Sequence, residues 1–309
     1  MQQYLVRGQI FLFWGYLFLA MIAELVIAFV DLHIGQILYA LLLGALFVYV
    51  YLASQNNSRK LALALVLGPM IRILSVSLPL SEVPLIWWYP SIGMPLLIAA
   101  GLIVHHLGML PHELGFRRSN LLIEGMIGLS GLALGAYGYT LLQPAPLAAQ
   151  FSLEAIIVPA LILVIFTGFA EEFIFRGLLQ TLARQLLGFK RLVFVALLFA
   201  VLHIGYRSLP IFLAVLSFGL VAGCAVLYTQ SILGVTIAHS LTNIMLFLVM
   251  PYTLSNPKLA VVVDWLVALS VLGGIAALVT IFFSVMRSRR ALAHQRLLPQ
   301  DTGSHSGSG

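Results

Sequence analysis

Three short stretches carry side chains that could do chemistry. "EEFIFR" holds Glu171, Glu172 and Arg176, "FAVLH" holds Phe199 and His203, and "HSLTN" holds His239 and Asn243. Helix geometry separates the two acids of the first stretch. Glu172 and Arg176 stand i and i+4, share a face and can pair. Glu171 lies about 100° round a helix of 3.6 residues per turn and is turned away from the arginine. This assigns Glu172 and Arg176 to bracing and leaves Glu171 as the free carboxylate. Phe199 with His203, and His239 with Asn243, repeat the i, i+4 spacing, so each pair is read as lying on one face of a helix. A free glutamate can act as a general base toward water, and a histidine beside it can hold the same water. A second histidine and an asparagine can donate to a developing oxyanion. Together these are parts for hydrolysing an amide by activated water. No serine stands in a strand-turn-helix setting, and the one cysteine, Cys224, has no basic neighbour in sequence, so covalent catalysis has less support. An alternative is a zinc ion held by Glu171, His203 and His239 with one position open, although the spacing is not that of a local zinc motif.

The surroundings of these residues are a membrane. The chain has 309 residues, of which 61% are hydrophobic and 8% charged, with mean hydropathy +1.07. Soluble domains carry about 25% charged residues. The composition therefore excludes an ordinary soluble protein and predicts an all-α, polytopic transmembrane helix bundle. Apolar segments at roughly 10–30, 34–53, 61–78, 91–108, 122–142, 154–180, 192–206, 210–229, 231–249 and 260–286 give about ten spans. The first is read as a retained span, since its apolar run exceeds a signal-peptide core and no cleavage site follows. With ten spans and the N-terminus inside, twelve lysines and arginines fall in inner loops and tails and two, Arg207 and Lys258, in outer ones. That bias places both termini in the cytoplasm. The net charge of +6 thus reads as topology and contact with anionic lipid, with no nucleic-acid partner expected.

Ionisable residues within spans usually face the protein interior and mark sites. Glu24, Arg72, His105, His106, Glu124 and Asp264 each read more simply as packing or interface residues, with Arg72 free to snorkel or to pair with an acid. Gly131 with Gly135, and Gly219 with Gly223, have the small-xxx-small spacing of close helix packing. The catalytic candidates differ in sharing a depth. Glu171 is 13 residues from Arg184, His203 is 12 from Arg191 and His239 is 9 from Gln230. At about 1.5 Å per residue all three can meet inside a hydrocarbon layer about 30 Å thick.

The three motifs, in this order, resemble the E-E-x-x-x-R, F-x-x-x-H and H-x-x-x-N/B motifs of the CPBP intramembrane protease family. That family comprises type II CAAX prenyl proteases and bacteriocin-processing and bacteriocin-immunity proteins. The resemblance covers roughly 155–250, with a weaker echo in "ELGFRR" at 113–118, and leaves the first hundred residues uncovered. It implies a membrane-embedded endopeptidase without a cofactor. In it Glu171 and His203 activate water, His239 and Asn243 form the oxyanion hole, and Glu172, Arg176 and Phe199 support the site. No motif position departs from the pattern.

The chain then divides into an N-terminal transmembrane region (1–110), a protease-like core with the last span (111–290) and a disordered tail (291–309). The expected partners are membrane lipid and a peptide or membrane-protein substrate, either a prenylated CAAX-type peptide or a leader peptide. The expected location is a prokaryotic plasma membrane. Two rivals are a non-catalytic membrane regulator using the same fold, and a transporter using the buried acids as ion sites. No internal repeat favours the transporter.

Overall fold

A computed structural model of the chain describes residues 2–54 and 56–297. Among the described residues every regular element is helical. The units are α1 (Gln2–Phe29), α2 (Leu32–Leu52), α3 (Asn57–Ser77), α4 (Leu85–His106) and α5 (Leu121–Leu142), then α6 (153–187) and α7 (Arg191–Val201), and finally α8 (Leu209–Thr229), α9 (Leu233–Tyr252) and α10 (Pro257–Leu297). Among the described residues nine stretches are long and apolar enough to cross a membrane. One of them, Leu153–Tyr206, runs for 54 residues and contains both α6 and α7. Gly188, at φ +52°, breaks it in two, so the expected number of about ten and the count of nine describe one architecture. The chain is therefore a multi-pass membrane protein. The tail read as disordered lies outside the described residues from 298 onward, and α10 runs to Leu297.

Polar residues start the helices. Asp31, Asn56, Asn120, Ser152 and Ser208 each accept a hydrogen bond from a backbone N–H in the first turn that follows. Such caps satisfy donors that lipid cannot. Helix α7 is apolar all round because it is interior: Phe194, Val195, Ala196, Leu198, Phe199, Ala200 and Val201 are all buried. It packs between α1 and α8. Helix α10 touches the rest mainly through α5 and leaves most of its surface exposed. Its contact runs through buried Val263, Ser270 and Ala277. The Ser270 hydroxyl donates to Leu129 O (2.8 Å) and accepts from Ala133 N (3.0 Å), so it stands inside the hydrogen-bond ladder of α5.

The helix that carries His239 and Asn243 is seated by small residues. A Cβ on Gly131 would stand 2.0 Å from Ala238 O, and one on Gly168 would stand 2.0 Å from Ser240 Oγ. Only glycine lets α5 and α6 approach α9 this closely. Glu124, read from sequence as a packing or interface residue, is 1% exposed and so packs inside. It reaches from α5 to accept a hydrogen bond from Gly234 N (2.5 Å) and so caps α9 from a neighbouring helix.

In the N-terminal region Arg72 pairs with an acid. Its Nη2 donates to Glu24 Oε2 (2.7 Å), and Tyr39 donates from its hydroxyl to Glu24 Oε1 (2.7 Å). This joins α1, α2 and α3 around a fully buried carboxylate. His105, His106 and Asp264 are exposed on the bundle surface.

Candidate active site

Helix α6 is not uniform around its acids. Val164–Phe169 and Phe173–Leu179 are π-helical, and Ala170–Glu172 is a short α segment between them. Inserted π turns widen a helix and occur frequently at functional sites. Within this frame the Arg176 guanidinium meets Glu172 at 2.9 Å, both side chains being fully buried. Arg176 also lies over the rings of Phe199 (4.5 Å) and Phe218 (5.4 Å). Its Nε and Nη2 have no hydrogen-bond partner, so the negative faces of the two rings supply the remaining compensation.

Glu172 has a second duty that local spacing does not reveal. His239 Nδ1 lies 2.8 Å from Glu172 Oε1. The carboxylate accepts, so Nδ1 carries the proton and Nε2 faces the other way. His239 Nε2 is 3.8 Å from Glu171 Oε2. The imidazole therefore stands between the two adjacent acids. Their exposures differ: the Glu171 side chain is 30% exposed and that of Glu172 is 0%. Glu171 Oε2 has no hydrogen-bond partner.

His203 sits beyond the end of its helix. Helix α7 stops at Val201, and His203 follows in a turn with φ −102° and ψ 3°, the bridge region common in active sites. The expectation that it shares a helix face with Phe199 is corrected to that extent, because "HIGYRS" turns the chain before the Ser208 cap. The link to Phe199 is through the main chain. His203 Nδ1 lies 2.7 Å from Phe199 O, and a carbonyl only accepts, so Nδ1–H donates and Nε2 keeps its lone pair. The rings of Phe199 and His203 are 4.7 Å apart, and Tyr206 stacks on His203 at 6.1 Å.

Asn243 is anchored by a residue the motifs do not include. Its Nδ2 donates to Thr167 Oγ1 (2.9 Å), and the Thr167 hydroxyl donates in turn to Leu163 O. Thr167 lies four residues before Glu171, and a lone polar residue at that spacing in an apolar run is the signal that could have found it.

Two cavities adjoin the site. One of about 580 Å³ is lined by Glu171, His203, Arg72 and Tyr89, among others. The second, about 140 Å³, is lined by His239, Asn243 and mostly apolar side chains of α5, α8 and α9. Phe199, His203 and Tyr206 line both, so the two cavities adjoin at these side chains. Glu171 thus faces one compartment and Asn243 the other, with His203 at the boundary. Among the described residues no group of three or more His, Cys, Asp or Glu side chains is placed to hold a metal ion.

No curated protein and no solved structure matches the chain. A family model does match, over residues 153–245, a span that contains Glu171, Glu172, Arg176, Phe199, His203, His239 and Asn243. Its description is Rce1-like, type II CAAX prenyl endopeptidase, so this part of the chain is similar to that family, which is consistent with the resemblance to the CPBP intramembrane proteases.

Proposed function

We propose that the protein is an intramembrane endopeptidase that cleaves a membrane-associated peptide by glutamate-activated water, in a prokaryotic plasma membrane. The observation that carries this reading is the unequal use of the two acids. Glu172 is consumed by Arg176 and His239, whereas Glu171 keeps an oxygen without a hydrogen bond and lines a cavity of about 580 Å³.

In the proposed reaction a water lies between Glu171 and His203 Nε2. Glu171 takes one of its protons, and the oxygen attacks the carbonyl carbon of the scissile bond. The resulting oxyanion accepts from Asn243 Nδ2, whose second proton is not used by Thr167, and from His239 Nε2–H. A proton on Nε2 also suits the charge count: Glu171, Glu172 and Arg176 sum to −1, and an imidazolium makes the buried group neutral. Collapse breaks the C–N bond, and the proton held by Glu171 passes to the leaving amine. Glu172, Arg176, Phe199 and Thr167 touch none of the reacting atoms and position those that do. The substrate reading stays with the two classes that the family resemblance implies, a CAAX-type prenylated peptide or a leader peptide.

A zinc-dependent version has one observation in its favour. Both histidines have Nδ1 fixed by an oxygen acceptor, the arrangement that orients metal-ligating imidazoles. Purified protein incubated with membrane-anchored and prenylated peptides tests both versions. Wild type cleaves, and Glu171→Gln and His203→Ala lose cleavage while folding normally. Cleavage that survives both substitutions rules out the mechanism. Loss of wild-type cleavage on chelation, restored by zinc, selects the metal version, and no cleavage by folded wild type selects the non-catalytic regulator.

A further inference from the structure

We propose that the site is closed toward the basic loops and opens toward the other end of the bundle, so that it takes its peptide from the extracytoplasmic side of the membrane. What is admitted rests on the peptidase reading; which side is open does not.

The two ends of the bundle are chemically different. The connections that follow α2, α4, α6 and α8 gather at one end, where Ile232 N donates to Gly115 O (3.1 Å) and Thr181 Oγ1 to Glu113 O (3.1 Å). Arg59, Lys60, Arg117, Arg118, Arg184, Lys190 and Arg191 belong to this end. The other connections gather at the opposite end, where Gln36 Nε2 donates to Ser77 Oγ (3.2 Å) and Leu147 N to Phe247 O (3.1 Å). Arg207 and Lys258 are its only lysines or arginines, beside the acids Asp31, Glu82 and Glu154. Excess Lys and Arg in short loops marks the cytoplasmic side.

Between the site and the basic end the side chains of α6 are buried. Arg176 is 1% exposed, Leu178 0%, Leu179 1%, Gln180 3% and Ala183 0%. Gln180 Nε2 ties this layer to α8 by donating to Gly223 O (3.1 Å). The polar pocket at the basic end, about 280 Å³ beside Lys60 and Glu113, touches none of the candidate catalytic residues. The cavity of Glu171 runs the other way. Its wall includes Leu32, Leu85, Gly205 and Arg207, all at or beside the connections of the less basic end. Gly205 and Arg207 are exposed there. A peptide that reaches Glu171 through this cavity comes from outside the cytoplasm. That favours an extracytoplasmic segment of a membrane-anchored protein over a tail delivered from the cytosol.

The single native cysteine makes the test direct. In a full-length Cys224→Ser background, one cysteine is placed in the cavity wall (Ser75→Cys), one at the mouth end (Leu209→Cys) and one at the basic end (Lys190→Cys). Right-side-out and inside-out membrane vesicles are then treated with a charged, membrane-impermeant thiol reagent. The expected result is labelling at 75 and 209 from right-side-out vesicles only, and at 190 from inside-out vesicles only. Labelling at 75 from inside-out vesicles, or from neither kind, overturns the proposal, as does a reversed pattern at 190 and 209. A water-soluble peptide that wild type cleaves in detergent is expected to be cleaved by right-side-out vesicles and spared by sealed inside-out ones, and the opposite result also overturns it. Absence of cleavage in detergent sinks the peptidase reading alone, because the labelling at 75 still reports the open side.

Discussion

The molecule buries two carboxylate–arginine pairs, and they are built differently. Glu24 and Arg72 come from separate helices, 48 residues apart, and Tyr39 completes the set. Glu172 and Arg176 are one turn apart on one helix, and beside them stands a further acid, Glu171. In the first group one arginine faces one acid, so the charges close within the group. In the second, one arginine serves two adjacent acids and a histidine, so the charges do not close without a movable proton. An ion pair with a surplus carboxylate has something to offer a substrate; an ion pair without one only holds helices together.

The largest effect that distinguishes the two groups is on turnover. Glu171→Gln keeps the shape of the side chain and removes the base. Cleavage is expected to fall by about 10²–10⁴-fold, the usual contribution of a positioned general base. Thermal stability should stay close to wild type, because Glu171 Oε2 has no hydrogen-bond partner to lose. Glu24→Gln should reverse the pattern, with stability lost and turnover per folded molecule retained. Turnover that fell equally in both variants would erase the distinction.

Stability comes next. Glu172→Gln leaves Arg176 uncompensated at 0% side-chain exposure, which costs about 3–5 kcal/mol for a buried pair. Glu24→Gln should cost less, because the Arg72 side chain is 16% exposed and lines the large cavity. Double substitutions sharpen the point. Glu24→Met with Arg72→Met should recover most of the loss, since apolar residues can replace a buried pair that only binds helices. Glu172→Met with Arg176→Met should regain less stability and no activity, because His239 loses the acceptor that orients it. Thermal denaturation in detergent and a cleavage assay read both.

Smaller again are effects on the oxyanion side. Asn243→Ala is expected to reduce cleavage by about 10²–10³-fold, the usual loss on removing an oxyanion-hole donor. Thr167→Val, which keeps the volume and removes the hydroxyl, is expected to cost about tenfold, at the low end of supporting-shell losses. An unchanged rate in Asn243→Ala would remove Asn243 from the reaction and leave it with Thr167 as a helix contact.

How much of this was legible beforehand follows the range of each interaction. The Glu172–Arg176 pair and the separation of Glu171 follow from one helix and its periodicity. The helical units follow from hydropathy, because lipid forces every apolar run to satisfy its own backbone. His239 against Glu172 spans 67 positions and depends on how α9 lies on α6, which is set by Gly131, Gly168 and the Glu124 cap. No spacing rule reaches that far. The π turns flanking Glu171 were also hidden, since they arise from packing and carry no local code. Glu124 keeps the packing role expected of it, but its partner is equally out of reach of a spacing rule. It stands four residues into α5, and α9 begins alongside it and covers it.

The last effect is on stability alone and concerns the hydroxyl that completes the N-terminal group. Tyr39→Phe removes one hydrogen bond to Glu24 Oε1 and leaves the ring in its fully buried place. The carboxylate retains Arg72, so the expected loss is about 1.5–3 kcal/mol, the worth of a hydrogen bond to a charged group. Turnover per folded molecule should not change, because no member of this group touches the acids of α6. The same deletion in a Glu24→Gln background should cost less, and the difference measures how far the tyrosine acts through the charge of Glu24. If Tyr39→Phe instead slowed cleavage at unchanged stability, the N-terminal group would be coupled to the site through Arg72, which shares the cavity wall with Glu171. The contrast between a binding pair and a working pair would then have to be redrawn as a single network.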